Sequence, residues 1–270
     1  MKNIIEGLFI ITILIMMLNV SSCSSDNAEP DPISLPSGSL SIEFLHEIDG
    51  SEIIYDTFLY VNEAGNNYLV SEIQYFISDV TLHKNDTTAI QLISWEDIHY
   101  VDTDISESQT YTFKDEITIG TYDKLSFTFG IIEEKNNSLM FVNPPESFMF
   151  WPENLGGGYH YMKLNGKWIN ELEQVSPYNF HLGIGQIYYS YPDSITGFVQ
   201  NYFTVEMNDF PIEIIEDETR NIEIVMNVEN WFRSPNTYNH NTWGGDIMQK
   251  QDAMQLAVEN GNDVFTFKIK

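Results

Sequence analysis

Six histidines are the side chains of this sequence best suited to chemistry: His46, His83, His99, His160, His181 and His240. A neutral imidazole offers one lone pair near pH 7, and it is the commonest metal ligand in proteins. Four of them, His181, His160, His99 and His46, are the candidate metal ligands. His181 lies in Tyr178-Asn179-Phe180-His181-Leu182-Gly183. Strand alternation there puts Tyr178, Phe180 and Leu182 on one face and Asn179, His181 and Gly183 on the other. Gly183 therefore gives His181 an unshielded neighbour. His160 ends an unusual segment, residues 140–166, that gathers Phe148, Phe150, Trp151, Gly156-Gly157-Gly158, Tyr159 and Tyr161. Long aromatic connections of this kind fold onto a rigid scaffold and often carry function. If 158–164 is a strand, His160, Met162 and Leu164 share one face. His99 follows Trp95-Glu96-Asp97-Ile98, and a third aromatic segment, 229–248, contains Trp231, His240 and Trp243.

Other chemistries find less support. The only cysteine is Cys23, which excludes internal disulfides and Cys-rich zinc or iron–sulfur sites. Asp102-Thr103-Asp104 with Glu107, and Glu216-Asp217-Glu218, are oxygen-rich enough for calcium. Neither fits an EF-hand loop, and solvated charge is their expected role. No nucleophile motif, phosphate loop or zinc-protease signature is present, so an enzyme is not expected. Across the 270 residues, 12 Lys and Arg face 40 Asp and Glu, a formal charge of −28. Nucleic acid is excluded as a partner, because a phosphate backbone needs a basic surface to displace its counterions. The 5 Trp and 15 Tyr would also suit a metal-free surface lipoprotein that binds a glycan or a protein, the alternative to a metal site.

The elements that must position these residues are strands. Leu40, Ile42 and Phe44 alternate with Ser41 and Glu43; Ile73, Tyr75 and Ile77 alternate with Gln74 and Ser78; Ile222, Ile224, Met226 and Val228 alternate with Glu223, Asn227 and Glu229. Period two with one apolar face is the pattern of a half-buried antiparallel strand. Further strands are expected at 53–61, 90–95, 109–117, 123–131, 158–164, 178–183, 198–207 and 263–269. Turns are expected at 62–66, Lys84-Asn85-Asp86, Asn165-Gly166 and Asp209-Phe210-Pro211. Residues 249–259 read as the one helix, stopped by Asn260-Gly261. The expected fold is all-β: an antiparallel β-sandwich with long loops and one short C-terminal helix, occupying 39–270 as one domain.

The first 38 residues lie outside that domain. Lys2 precedes an apolar run, Leu8 to Leu18, too short to span a bilayer comfortably and typical of a signal peptide. Val20-Ser21-Ser22-Cys23 then resembles the lipobox of bacterial lipoproteins. Residues 1–22 are thus expected to be a signal peptide, Cys23 the lipidated first residue of the mature protein, and 23–38 a flexible Ser-, Asp- and Pro-rich tether. The expected location is the bacterial cell envelope, lipid-anchored to the outer membrane on its periplasmic or surface face.

Several blocks along 39–270 resemble the MbnP-like family of bacterial periplasmic and lipid-anchored proteins. They are Ser71-Glu72-Ile73-Gln74-Tyr75-Phe76-Ile77-Ser78-Asp79; Gly120-Thr121-Tyr122-Asp123 leading into Phe127-Thr128-Phe129-Gly130; Met149-Phe150-Trp151 with Gly158-Tyr159; Lys163-Leu164-Asn165-Gly166; Phe180-His181-Leu182-Gly183; and the ending from Glu259 to Phe265. The resemblance implies a copper protein that binds the metal through His nitrogens and a tryptophan oxidised to kynurenine by a partner di-haem enzyme. Carried over by motif, His181 is the first candidate ligand and Trp151 the candidate for modification. The pattern departs in two places. Copper-associated relatives often carry an Asn-His pair where this chain reads Glu134-Lys135-Asn136-Asn137, and their paired cysteines are missing here. His160 or His99 would then substitute as ligands.

Overall fold

The computed structural model describes residues 35–84, 88–92, 98–114, 116–208 and 211–269. The signal peptide, Cys23 and most of the tether lie outside the described residues, as do Asn85-Asp86 and Asp209-Phe210. From Pro36 onward the chain is one compact unit.

Two sheets form it. One runs in the order Phe265–Ile269, Thr219–Asn227, Ser37–Ile48, Ser51–Glu52, with Thr110–Thr112 and Ile117–Thr118 also paired to Ser37–Ile48. The other runs Val175–Leu182, Met162–Ile169, Asn67–Lys84, Lys124–Phe129, Phe203–Met207, with three short strands added along Asn67–Lys84. Their inner faces meet through aromatic rings. Phe44 lies 6.3 Å from Tyr75 between ring centroids, and Phe127 and Phe129 lie 5.4 and 5.3 Å from Phe265. Alternate residues of each strand point into this shared layer, as the fully buried set Ile42, Phe44, Ile73, Tyr75, Ile222 and Ile224 shows. The domain is the expected all-β sandwich.

Several expectations change in detail. Ser37–Ile48 and Thr219–Asn227 run parallel, in register from Ser39 opposite Thr219 to Glu47 opposite Asn227. Parallel neighbours need a long crossover, and most of the domain lies between these two strands and supplies it. The first strand begins at Ser37. The stretch 53–61 is mostly turn between Ser51–Glu52 and Tyr60–Val61, and 198–207 is divided between Ser194–Val199 and Phe203–Met207. Asn165-Gly166 is not a turn: Met162–Ile169 passes straight through it, with a register shift against Asn67–Lys84. Gly166 is required by close approach, because a Cβ there would stand 2.1 Å from the Leu69 carbonyl oxygen. The C-terminal helix spans Gln251–Asn260 and buries Ala253, Met254 and Ala257. A second, single-turn helix, His240–Trp243, has its first turn capped by the Asn239 side chain, which accepts from the Asn241 N–H. Among the described residues no helix is long and apolar enough to cross a membrane.

Candidate metal centre

Val175–Leu182 is an edge strand, antiparallel to Met162–Ile169, with Lys163 opposite His181 and Asn165 opposite Asn179. Tyr178, Phe180 and Leu182 are buried as the alternation requires, and His181 takes the other face beside Lys163. Before Met162 the chain bends at Tyr161, whose N–H donates to the Leu182 carbonyl at 2.8 Å. The bend breaks the alternation. Met162 and Leu164 enter the core, whereas His160 turns toward His181, so the shared face expected for these three residues does not form.

A second bend closes the centre. The three glycines Gly156, Gly157 and Gly158 all have positive φ, at 126°, 71° and 76°, which reverses the chain after Trp151. The Trp151 N–H donates to the Gly158 carbonyl at 2.8 Å and the His160 N–H to the Met149 carbonyl at 2.7 Å. This short antiparallel lacing brings the fully buried Trp151 against His160, with ring centroids 4.7 Å apart. His160 in turn meets His181 at 5.1 Å, the two imidazoles nearly perpendicular. The Trp151 indole N–H donates to the Leu155 carbonyl at 3.1 Å. Gly183 serves a purpose the sequence did not disclose: a Cβ there would stand 2.6 Å from the Trp151 ring. Gly183→Ala is therefore expected to push the indole off His160 and cost about 1–3 kcal/mol through overpacking. Denaturant titration with Trp fluorescence would check this; unchanged stability and spectrum would show that the indole does not rest on Gly183.

The hydrogen bonds decide which nitrogens are bare. A carbonyl oxygen can only accept, so the 2.8 Å contact from His160 Nδ1 to the Met149 oxygen places the proton on Nδ1. Asn165 Nδ2 donates to Glu72 Oε2 at 3.1 Å, which leaves Asn165 Oδ1 to accept from His181 Nε2 at 2.8 Å. The remaining nitrogens, His160 Nε2 and His181 Nδ1, are buried and have no hydrogen-bond partner. Burial pushes the His160 pKa down to about 3, aided by the Lys163 ammonium and opposed by the Met149 and Phe150 backbone. It pushes His181 down to about 2, with His160 and Lys163 adding to the effect. Both rings are held neutral, the state in which imidazole binds metals.

The other candidates do not join this pair. His46 follows the inward face of Ser37–Ile48 together with Phe44 and Ile48, and its Nε2 lies 3.2 Å from the Tyr75 hydroxyl. His99 is stacked between Phe44 and Tyr111, at 5.6 and 4.4 Å, and its Nε2 donates to the Ser108 carbonyl at 2.7 Å. The structure does not bring either of them to His160 and His181, for one reason: their strand positions direct them between the sheets, away from the outer face where His181 stands. His83 contacts Ser126 Oγ at 2.7 Å. His240 is fully buried with both ring nitrogens unpaired, but its neighbours are rings, Tyr178 at 4.5 Å and Trp168 at 5.6 Å. Asp102 accepts from the Tyr100 hydroxyl, Gln74 Nε2 and the Asp104 N–H, at 2.7, 3.0 and 2.8 Å, a hydrogen-bonding role within its own loop and strand. Among the described residues no cluster of three or more His, Cys, Asp or Glu could hold a metal ion.

Fold and site together define a two-sheet β-sandwich protein with a neutral imidazole pair and a buried indole gathered beside an edge strand. The MbnP family model matches residues 37–250, and the chain belongs to that family. The structure of MbnP from Methylosinus trichosporium is similar in fold, with a TM-score of 0.58 at 13% identity, covering 87% of this chain and 99% of that one. No curated protein sequence matches this chain.

Proposed function

We propose that this protein binds one copper ion in the bacterial cell envelope, through His160 Nε2 and His181 Nδ1, to capture or buffer the metal. The observation that carries this reading is the pair of buried, unpartnered lone pairs on rings 5.1 Å apart. A buried polar atom left without a partner costs about 1–3 kcal/mol, and two of them side by side call for something that satisfies both. A cation between them does so. The donor set favours cuprous copper, a d10 ion that accepts two nitrogen ligands. Cupric copper favours a tetragonal shell and zinc a tetrahedral one, and each would be left half filled. The Met149 carbonyl orients His160 for that role.

In this reading Trp151 is the side chain that a partner di-haem enzyme oxidises, which is supported by its contact with His160. Cys23 carries the lipid that holds the domain at the outer membrane, and the protein is a binder rather than an enzyme. The test is metal analysis of protein purified from its own envelope, with mass spectrometry of the peptide containing Trp151. One copper per chain and an oxidised Trp151 are expected; a metal-free protein that takes up no added Cu(I) would refute the copper reading.

A second reading has one observation in its favour. The hairpin Gly185–Ser190 and Ser194–Val199, with the turn between them, exposes Tyr189, Tyr191, Ile187 and Phe198, with Tyr189 at 87%. Exposed apolar and aromatic side chains of this kind suit a glycan or protein partner. Glycan-array binding that disappears in Tyr189→Ala would support it.

A further inference from the structure

Glu72 and Asn165 come from two of the sequence blocks that the ligand pair leaves unexplained. They lie directly opposite one another where Asn67–Lys84 pairs with Met162–Ile169. Asn165 is also diagonal to His181 across the next strand pair, in which Lys163 faces His181 and Asn165 faces Asn179. Three neighbouring strands thus carry a line of contacts, Glu72 to Asn165 at 3.1 Å and Asn165 to His181 at 2.8 Å.

We infer that Glu72 and Asn165 are positioning residues that fix which nitrogen of His181 faces a metal, an inference that rests on the copper reading for its purpose. A side-chain amide alone is ambiguous, because half a turn exchanges its oxygen for its NH2 group. Glu72 removes the ambiguity. Its carboxylate can only accept, so it holds the Asn165 NH2 and turns the amide oxygen toward His181. His181 must then donate from Nε2, and its lone pair stands on Nδ1, the nitrogen found buried and unpartnered. The Met149 carbonyl performs the matching task for His160 from the backbone, with the opposite outcome: proton on Nδ1, lone pair on Nε2. The two ligands therefore present unlike nitrogens. Supporting acceptors of this kind orient a ligating imidazole and raise its basicity.

The test is nitrogen-15 NMR of histidine-labelled, metal-free protein, followed by anaerobic Cu(I) titration against a competing chelator. In the wild-type protein His181 is expected to show a protonated Nε2, its N–H proton protected from exchange, and an unprotonated Nδ1. Asn165→Leu is expected to lose the protected Nε2–H signal and to weaken Cu(I) binding by about 10–100-fold. Asn165→Asp restores an acceptor and is expected to keep the protected signal. A wild-type His181 protonated on Nδ1 would overturn the inference without recourse to any variant. So would an Asn165→Leu protein, folded by its amide spectrum, with signal and affinity unchanged. The expected tautomer in a protein that takes up no copper would remove the copper reading while leaving the positioning of His181 in place.

Discussion

Replacing His181 with alanine is expected to abolish stoichiometric copper binding while leaving the sandwich folded. The effect should exceed the ~10–100-fold loss typical of removing a supporting residue, because one of only two donors goes. His181 is on the outer face of an edge strand, and the inward residues Phe180 and Leu182 keep that strand on the core. What goes with the ring is its contact with His160 and its hydrogen bond to Asn165. His160→Ala should remove copper equally, but at a greater cost in stability, since His160 is 5% exposed and supports the Trp151 indole. His99→Ala is the informative control. Its ring is stacked between Phe44 and Tyr111, so that variant should lose stability and retain copper. Isothermal titration with Cu(I) beside chemical denaturation separates the two effects. Equal copper binding by His181→Ala and the wild-type protein would contradict the proposed ligand set.

Acid is expected to destabilise the metal-free protein progressively below about pH 6.5. Burial lowers all six histidines, five of them far below their ordinary value of 6.5: His46 and His99 to about 4, His160 and His240 to about 3, and His181 to about 2. In the folded state these rings stay neutral, while in the unfolded chain they take up protons below about pH 6.5. The unfolded state therefore binds more protons throughout the window from about 6.5 down to about 4. Stability falls as pH falls, by up to about 1.4 kcal/mol per pH unit for each ring. Glu72 and Glu229 act in the opposite direction, because burial raises their pKa values, but they are two carboxyls against five imidazoles. Bound copper would keep His160 and His181 unprotonated in the folded state and add its own binding energy, so the metal-loaded protein should unfold at lower pH. Urea titrations at pH 7, 6 and 5, with and without Cu(I), measure this directly. A stability that is flat from pH 7 to 5 would contradict the burial of these rings.

Much of the scaffold was legible in the sequence because period-two alternation reports directly on a half-buried strand. The run Ile222, Ile224, Met226 is buried as it predicts, and so are Tyr178, Phe180 and Leu182. The same signal carried information about His46 that the chemistry of imidazole obscured. Its spacing from Phe44 and Ile48 places it inside the core, where it is packed rather than available. The site itself was only partly legible. Trp151, His160 and His181 could be named from residue type and motif, but their meeting depends on two chain reversals, at Tyr161 and at Gly156 to Gly158, that alternation does not describe. Gly166 shows the limit of turn chemistry: an Asn-Gly pair that normally marks a reversal here sits inside a strand, where Leu69 and Tyr178 leave no room for a side chain. Glu72 and Asn165 were hidden for another reason. They are 93 positions apart, and only the pairing of two non-consecutive strands brings them together.

The account stands on one ion shared by His160 Nε2 and His181 Nδ1, and a crystal structure of Cu(I)-loaded protein with data at the copper absorption edge tests that most directly. A single anomalous peak about 2 Å from both nitrogens, beside the side chain at position 151, is the predicted result. A peak at another place on the domain, or copper-soaked crystals in which both nitrogens remain bare, would contradict it.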